Sequence, residues 1–209
     1  MELTAGSCIR FGWETFKKRP WFLIGVYVLF LAVVGLIGGV LSELGKVGPA
    51  VAFAATIARL AIDMLAGMGI IAISLKAHDD VATITLSDLW HPEPFWYFVG
   101  ASILAGLAVV GGIILLIVPG IIFALMFGFA KYLVIERGLR PMEALRESRR
   151  MTNGHKWMLF RLALLSFLVV LLGVVCLIVG VLVAVPVVTL ASVHAFRTLQ
   201  SAAGNTAHA

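Results

Sequence analysis

Two apolar stretches, residues 96–137 and 157–198, are each too long for one membrane crossing, and each carries a glycine-framed segment in its middle. The first holds Gly112-Ile113-Ile114-Leu115-Leu116-Ile117-Val118-Pro119-Gly120, and the second holds Gly173-Val174-Val175-Cys176-Leu177-Ile178-Val179-Gly180. About 20 apolar residues suffice to cross roughly 30 Å of hydrocarbon. A run of twice that length has to turn back. Pro119 cannot continue a helix ladder and Gly120 accepts positive φ, so Val118-Pro119-Gly120 is the expected turn of the first stretch. Gly180 takes the same place in the second. Both copies read as outer turns of tight transmembrane hairpins.

Composition agrees. Hydrophobic residues make up 61% of the 209 and charged residues 13%, where soluble domains carry about 45–50% and about 25%. Mean hydropathy is +1.06. The length accommodates about six spans and no sizeable soluble domain. The formal charge of +5 does not point to nucleic acid. The basic residues cluster beside apolar blocks instead of interleaving with aromatic residues on a polar face. Cys8 precedes the first span and Cys176 lies inside an apolar block, which opposes a disulfide between them. The N-terminus does not read as a secretory signal, because about twenty amphipathic residues precede an apolar run of full span length.

Spans are expected at about 21–41, 52–75, 96–117, 120–137, 157–178 and 181–198. They form three hairpins, about 21–75, 96–137 and 157–198, within a single membrane domain over 1–199, with a flexible tail at 200–209. Between them come shorter elements. Residues 2–18 place Ile9, Trp13 and Phe16 at helical spacing, the pattern of an interfacial helix lying in the membrane plane. Thr85-Leu86-Ser87-Asp88 matches a capping box, so a short helix should start there and stop at Pro92 and Pro94. Pro141, Glu143 and Asn153-Gly154 predict a helix over about 141–152. The fold class is therefore all-α: six transmembrane helices in three hairpins, with short in-plane amphipathic helices on the cytoplasmic face.

Orientation follows from the bias of Lys and Arg toward cytoplasmic loops. Thirteen of the sixteen fall on one side of the six-span arrangement, among them Arg10, Lys17, Lys18, Arg19, Lys76, the seven from Arg137 to Arg161, and Arg197. Lys46 and Arg59 fall on the other side, and Lys131 lies within the fourth span. Both termini are expected in the cytoplasm.

Three spans open alike, at Trp21, Trp96 and Trp157, each after a segment carrying an acid (Glu14, Asp88, Glu147). Trp suits a headgroup boundary because its ring is apolar and its N–H is not. Two readings stay open: a three-fold internal repeat, or the general look of an interfacial aromatic before an apolar span.

Ile117-Val118-Pro119-Gly120-Ile121, Tyr132-Leu133-Val134-Ile135-Glu136, Gly138-Leu139-Arg140-Pro141-Met142-Glu143-Ala144-Leu145-Arg146-Glu147-Ser148 and Thr152-Asn153-Gly154-His155-Lys156-Trp157 follow one another. In these segments the chain resembles bacterial integral membrane proteins of the YciC-like kind. It is also similar to the membrane domain fused to some glycerophosphoryl diester phosphodiesterases. The resemblance spans about 66–199 and is specific over 117–160. It implies a polytopic protein of the bacterial inner membrane and carries over no catalytic residue, since the phosphodiesterase chemistry belongs to a separate soluble domain. Lys131 departs from the pattern, which has an uncharged residue before the Tyr.

The candidate site residues are charges that the spans do not need. Arg59 and Asp63 share a helix face at i, i+4. They are either an intramembrane pair lining a cavity or ion path, or a satisfied pair near the outer interface. Lys131 either binds an anionic group such as a lipid phosphate or snorkels to the headgroups. Arg146, Arg149, Arg150 and Lys156 either recognise anionic lipid or simply set topology. Glu136 has Arg137 and Arg140 as prospective partners.

Other motifs speak for packing or against chemistry. His155 and His194 have no metal-ligand spacing around them, so no metal and no cofactor is expected. Ser74, Ser102 and Ser166 are expected to bond their own helices. Gly35 and Gly39 form a GxxxG, and with Gly111, Gly112 and Gly128 they are expected to pack within the bundle, ahead of the alternative of a dimer seam, because hairpins must pack anyway.

The leading functional expectation is a non-enzymatic inner-membrane protein that handles lipid or organises the membrane, with anionic lipids as partners. A channel or small-solute transporter is the first alternative. A scaffold for a partner membrane protein, or a homo-oligomer, is the second.

Overall fold

The computed structural model describes residues 4–80, 83–85, 88, 94–175 and 177–205. Nine α-helices run through them: α1 (Ala5–Lys18), α2 (Pro20–Leu44), α3 (Pro49–Asp79), α4 (Phe95–Leu115), α5 (Ile117–Phe127), α6 (Ala130–Arg137), α7 (Pro141–Thr152), α8 (Lys156–Val175) and α9 (Leu177–Asn205). No strand occurs among the described residues. Six helical stretches are long and apolar enough to cross a membrane, namely Pro20–Val47, Pro49–Asp79, Phe95–Leu115, Ile117–Arg137, Lys156–Val175 and Gly180–Ala203. This is the make-up of a multi-pass membrane protein.

Local chemistry sets the helix boundaries. Pro20, Pro49 and Pro141 each sit in the first turn of their helix, where a missing N–H costs nothing. Thr4 caps α1 by accepting from the Ser7 N–H at 3.2 Å. Glu143 reaches back to the Arg140 N–H at 3.3 Å. Gly138 ends α6 at φ 63 with its N–H on the Val134 carbonyl, and Gly154 follows α7 at φ 84. The 141–152 helix is found where the sequence places it. The short helix expected after Thr85 involves residues outside those described.

Both expected turns move. The α4–α5 turn is the single extended residue Leu116, at φ −170 and ψ 151, so Pro119 and Gly120 lie inside α5. Proline fits there because first-turn N–H groups have no intrahelical partner. Gly180 likewise lies inside α9, which begins at Leu177, while α8 ends at Val175. The glycines instead mark where consecutive helices touch. A Cβ on Gly112 would lie 2.9 Å from the Gly120 Cα, and one on Gly173 would lie 2.8 Å from the Gly180 carbonyl oxygen. The echo in the sequence is thus a repeated helix–helix contact and not a repeated turn.

The fourth span is found as one stretch, Ile117–Arg137, with a turn at Gly128-Phe129 that divides it into α5 and α6. The helix expected to end at 198 continues to Asn205, and 206–209 lie outside the described residues. Gly35, Gly39 and Gly111 face open space, so they do not pack within the bundle. On α2 it is Gly38 that makes a contact.

Consecutive helices pack pairwise, α2 with α3, α4 with α5 and α8 with α9. The core lies where α1, α6, α7 and α9 meet. Leu133, Val134, Ala144, Val193 and Phe196 are fully buried there, and the Phe129, Tyr132 and Phe196 rings contact one another. α1 is held in this core. Its buried face is Ala5, Cys8, Gly12, Thr15 and Phe16, while Trp13 remains 45% exposed. The small residues let α1 lie directly on the α9 backbone, which the apolar spacing Ile9, Trp13, Phe16 did not indicate. Away from the core, no residue from 39 to 67 is buried, so the distal halves of α2 and α3 stand as a pair beside the bundle.

Candidate functional site

α7 carries the basic cluster. Its inner face buries Ala144, Leu145, Ser148, Met151 and Thr152. Arg146, Arg149 and Arg150 are exposed, as is Lys156 at the start of α8. Among the described residues only Arg150 has an acid near it, Glu147 at 3.8 Å, a long surface pair that contributes little. Beside Lys156, the Arg161 guanidinium lies over the Trp157 ring at 5.5 Å.

The inner face of α7 is fixed by a polar contact. The Ser148 hydroxyl donates to the Met126 carbonyl at 2.7 Å, and the Thr152 hydroxyl lies 3.5 Å from the same oxygen. Met126 sits in the last turn of α5, where the break leaves carbonyls without helical partners. In lipid such groups must be satisfied by neighbours. A side chain from α7 does so and ties the basic helix to the broken span.

Lys131, the second residue of α6, sits 5.8 Å above the Phe98 ring of α4. Its ammonium has no acidic partner among the described residues. Arg59 and Asp63 are brought together, but loosely: Nε and Oδ2 are 3.8 Å apart, and both side chains are about half exposed, at 53% and 44%. That distance is too long for a hydrogen bond.

A second polar group joins residues the sequence keeps apart. Arg197 on α9 donates through Nη1 to Glu136 at the end of α6, and through Nη2 to Asp79 at the end of α3, the latter at 2.7 Å. Gln200 donates to the other Glu136 oxygen at 2.8 Å. Next to this chain, His78 Nε2 and His194 Nδ1 are 3.1 Å apart, and Phe11 of α1 stacks on His194 with ring centroids 4.1 Å apart. Glu136 therefore pairs with Arg197 and not with Arg137 or Arg140. The network gathers the ends of α3, α6 and α9 at one end of the bundle and closes α1 over them. Separations of 61 and 118 residues hid it from any reading of local spacing.

The remaining expected site residues carry little chemistry. Ser74 bonds its own helix at Ile70, whereas the Ser102 and Ser166 hydroxyls are buried with no partner among the described residues. No group of three or more metal-ligating side chains occurs among the described residues.

Comparison of the chain with protein families, with curated proteins and with solved structures finds no match in any of the three.

Proposed function

We propose that this chain is a non-enzymatic protein of the bacterial inner membrane that holds anionic lipid headgroups at the cytoplasmic face and so handles or organises lipid there. In this reading α2–α3, α4–α6 and α8–α9 are three hairpins. α1 and α7 lie along the cytoplasmic surface, and both termini are cytoplasmic. The observation that carries it is the fixed, outward display of Arg146, Arg149 and Arg150 on a helix whose other face is fastened to a membrane span. A cation near an anionic bilayer surface is worth about 1 kcal/mol, so four of them, counting Lys156, favour anionic over neutral lipid by about 10²–10³-fold. Lys131, without an acid of its own, is the fifth contact.

Native mass spectrometry from nanodiscs of mixed phosphatidylglycerol and phosphatidylcholine tests this. The unaltered protein should retain phosphatidylglycerol preferentially. The triple variant Arg146→Gln, Arg149→Gln, Arg150→Gln, and separately Lys131→Ala, should each reduce that enrichment. Unchanged enrichment in both would refute the proposal.

A solute path has less support, because the Asp79–Arg197–Glu136–Gln200 chain is closed on itself by ion pairs and hydrogen bonds. The outward Gly35 and Gly39 favour self-association or a membrane-protein partner as a second reading.

A further inference from the structure

The α2–α3 pair carries a site of its own, remote from α7. Between its distal ends lies a cavity of about 370 Å³ lined by Gly38, Ser42, Lys46, Thr56 and Arg59, among others. The Arg59 guanidinium lies against Gly38: a Cβ there would stand 2.6 Å from Nη1, so a side chain at this position would push the flexible guanidinium aside. The guanidinium makes no hydrogen bond among the described residues, and Asp63 stays at 3.8 Å. Lys46 is held by Glu43 at 2.7 Å, in a pair that is exposed on both sides. Lys46 and Arg59 are the charged residues of the cavity wall, and both are cations.

Depth supports a headgroup position. Arg59 precedes Asp79 by twenty residues on one helix, which is about 30 Å at 1.5 Å per residue, the thickness of the hydrocarbon layer. With the Asp79–Arg197–Glu136 network in one headgroup layer, Arg59 falls in the opposite one. The 31-residue α3 and the short helix Gly45–Val47 then reach beyond it.

Below the cavity the same helix seam continues as an apolar groove. It measures about 330 Å³ and includes Phe30, Val34 and Ile37 of α2 with Ile62, Ala66 and Gly69 of α3. A cationic pocket at headgroup level, opening along one seam onto an apolar groove, matches an anionic phospholipid. The phosphate would sit between Arg59 and Lys46 and one acyl chain along Phe30–Gly69.

We infer that the α2–α3 seam is a binding site for an anionic phospholipid of the leaflet opposite α7, with Arg59 and Lys46 as the phosphate ligands. The inference does not depend on the α7 surface, and its variants leave that surface intact.

The test is photo-crosslinking of the purified full-length protein with phosphatidylglycerol bearing a diazirine in one acyl chain, mapped by peptide mass spectrometry. Labelling is expected on the segments around Val34 and Ala66. It should fall at least fivefold in the double variant Arg59→Gln, Lys46→Gln, and also in Gly38→Leu, which fills the seat of the guanidinium. The Lys46 and Arg59 side chains are largely exposed, at 71% and 53%, and an unchanged thermal unfolding temperature of each variant verifies the fold. Diazirine-labelled diacylglycerol, which lacks the phosphate, should label these segments weakly, and inorganic phosphate at millimolar concentration should not compete. Equal labelling by diacylglycerol, competition by inorganic phosphate, or unchanged labelling in the double variant would each overturn the assignment.

Discussion

The Ser148 hydroxyl donates to the Met126 carbonyl at 2.7 Å, so that a helix on the bundle's surface completes the hydrogen bonding of a helix broken within the apolar part of the chain. The donor is fully buried. Ser148→Ala removes it and leaves the carbonyl to Thr152 at 3.5 Å. The expected cost is about 1–3 kcal/mol, that of a buried acceptor left short of a partner. Ser201→Ala, at an exposed hydroxyl, should cost nothing measurable. Unfolding in mixed micelles of rising SDS fraction, followed by circular dichroism, measures both. An equal response of the two variants would remove Ser148 from this role.

The glycines divide into two sets with opposite expected behaviour. Gly112→Ala and Gly173→Ala put a methyl within 3 Å of the facing helix, where backbone or Cβ must move, and overpacking of that kind costs about 1–3 kcal/mol. Gly35→Ala and Gly111→Ala enter open space and should stay within about 0.5 kcal/mol. The same SDS titration separates the sets. A destabilised Gly35→Ala would point to a neighbour on that face, such as a second copy of the chain.

Cys8 reports on how α1 sits. Burial pushes its thiol up to about 11, outweighing the opposing hydrogen bond from Ser7. At pH 8 only about a thousandth is thiolate, the reactive form. In a Cys176→Ala background, alkylation should be slow at pH 8 and accelerate toward pH 11. Gly12→Ala places a methyl 2.3 Å from the Val187 carbonyl oxygen, which lies in the α9 backbone and cannot yield, so α1 must lift. Alkylation at pH 8 should then rise about tenfold or more, read by the rate of N-ethylmaleimide incorporation.

Asp88 gives a pH signature. The Lys76 ammonium, with Nζ 2.7 Å from Oδ1, holds its carboxyl at about 2, helped by the Thr85 N–H. A carboxylate depressed in the folded state stabilises above its unfolded value near 3.8, and that contribution is lost as pH falls toward 2. Lys76→Gln should shift the titration upward toward the ordinary carboxylate range. Carboxyl carbon NMR of aspartate-labelled protein reads it directly, and an unmoved midpoint would show that Lys76 is not the cause.

The residues explain what could be read in advance. Helix positions follow from apolar run length and from Pro141, which act locally. The 141–152 helix was legible to the residue because Pro141, Glu143 and Gly154 each act within one turn. The turn at Leu116 was not. Proline in the first turn of a helix and proline in a loop leave the same mark in a sequence, and only the backbone distinguishes them. The basic face of α7 was legible as a charge cluster, but its attachment through Ser148 to Met126 spans 22 residues and depends on a break that no strong local signal announces.

The sequence by itself determined that this chain lives among apolar neighbours, that it forms six apolar helical stretches of span length, and that its cations gather beside them, because hydrophobic run length and charge placement are properties of single segments. The tertiary structure decided which helices meet. It turned the glycine echo from turns into contacts, laid α1 on α9 through Gly12, and joined Asp79, Glu136 and Arg197 across as many as 118 residues. Pairing at that distance depends on how helices pack in three dimensions, and nothing in the spacing along a chain encodes it locally.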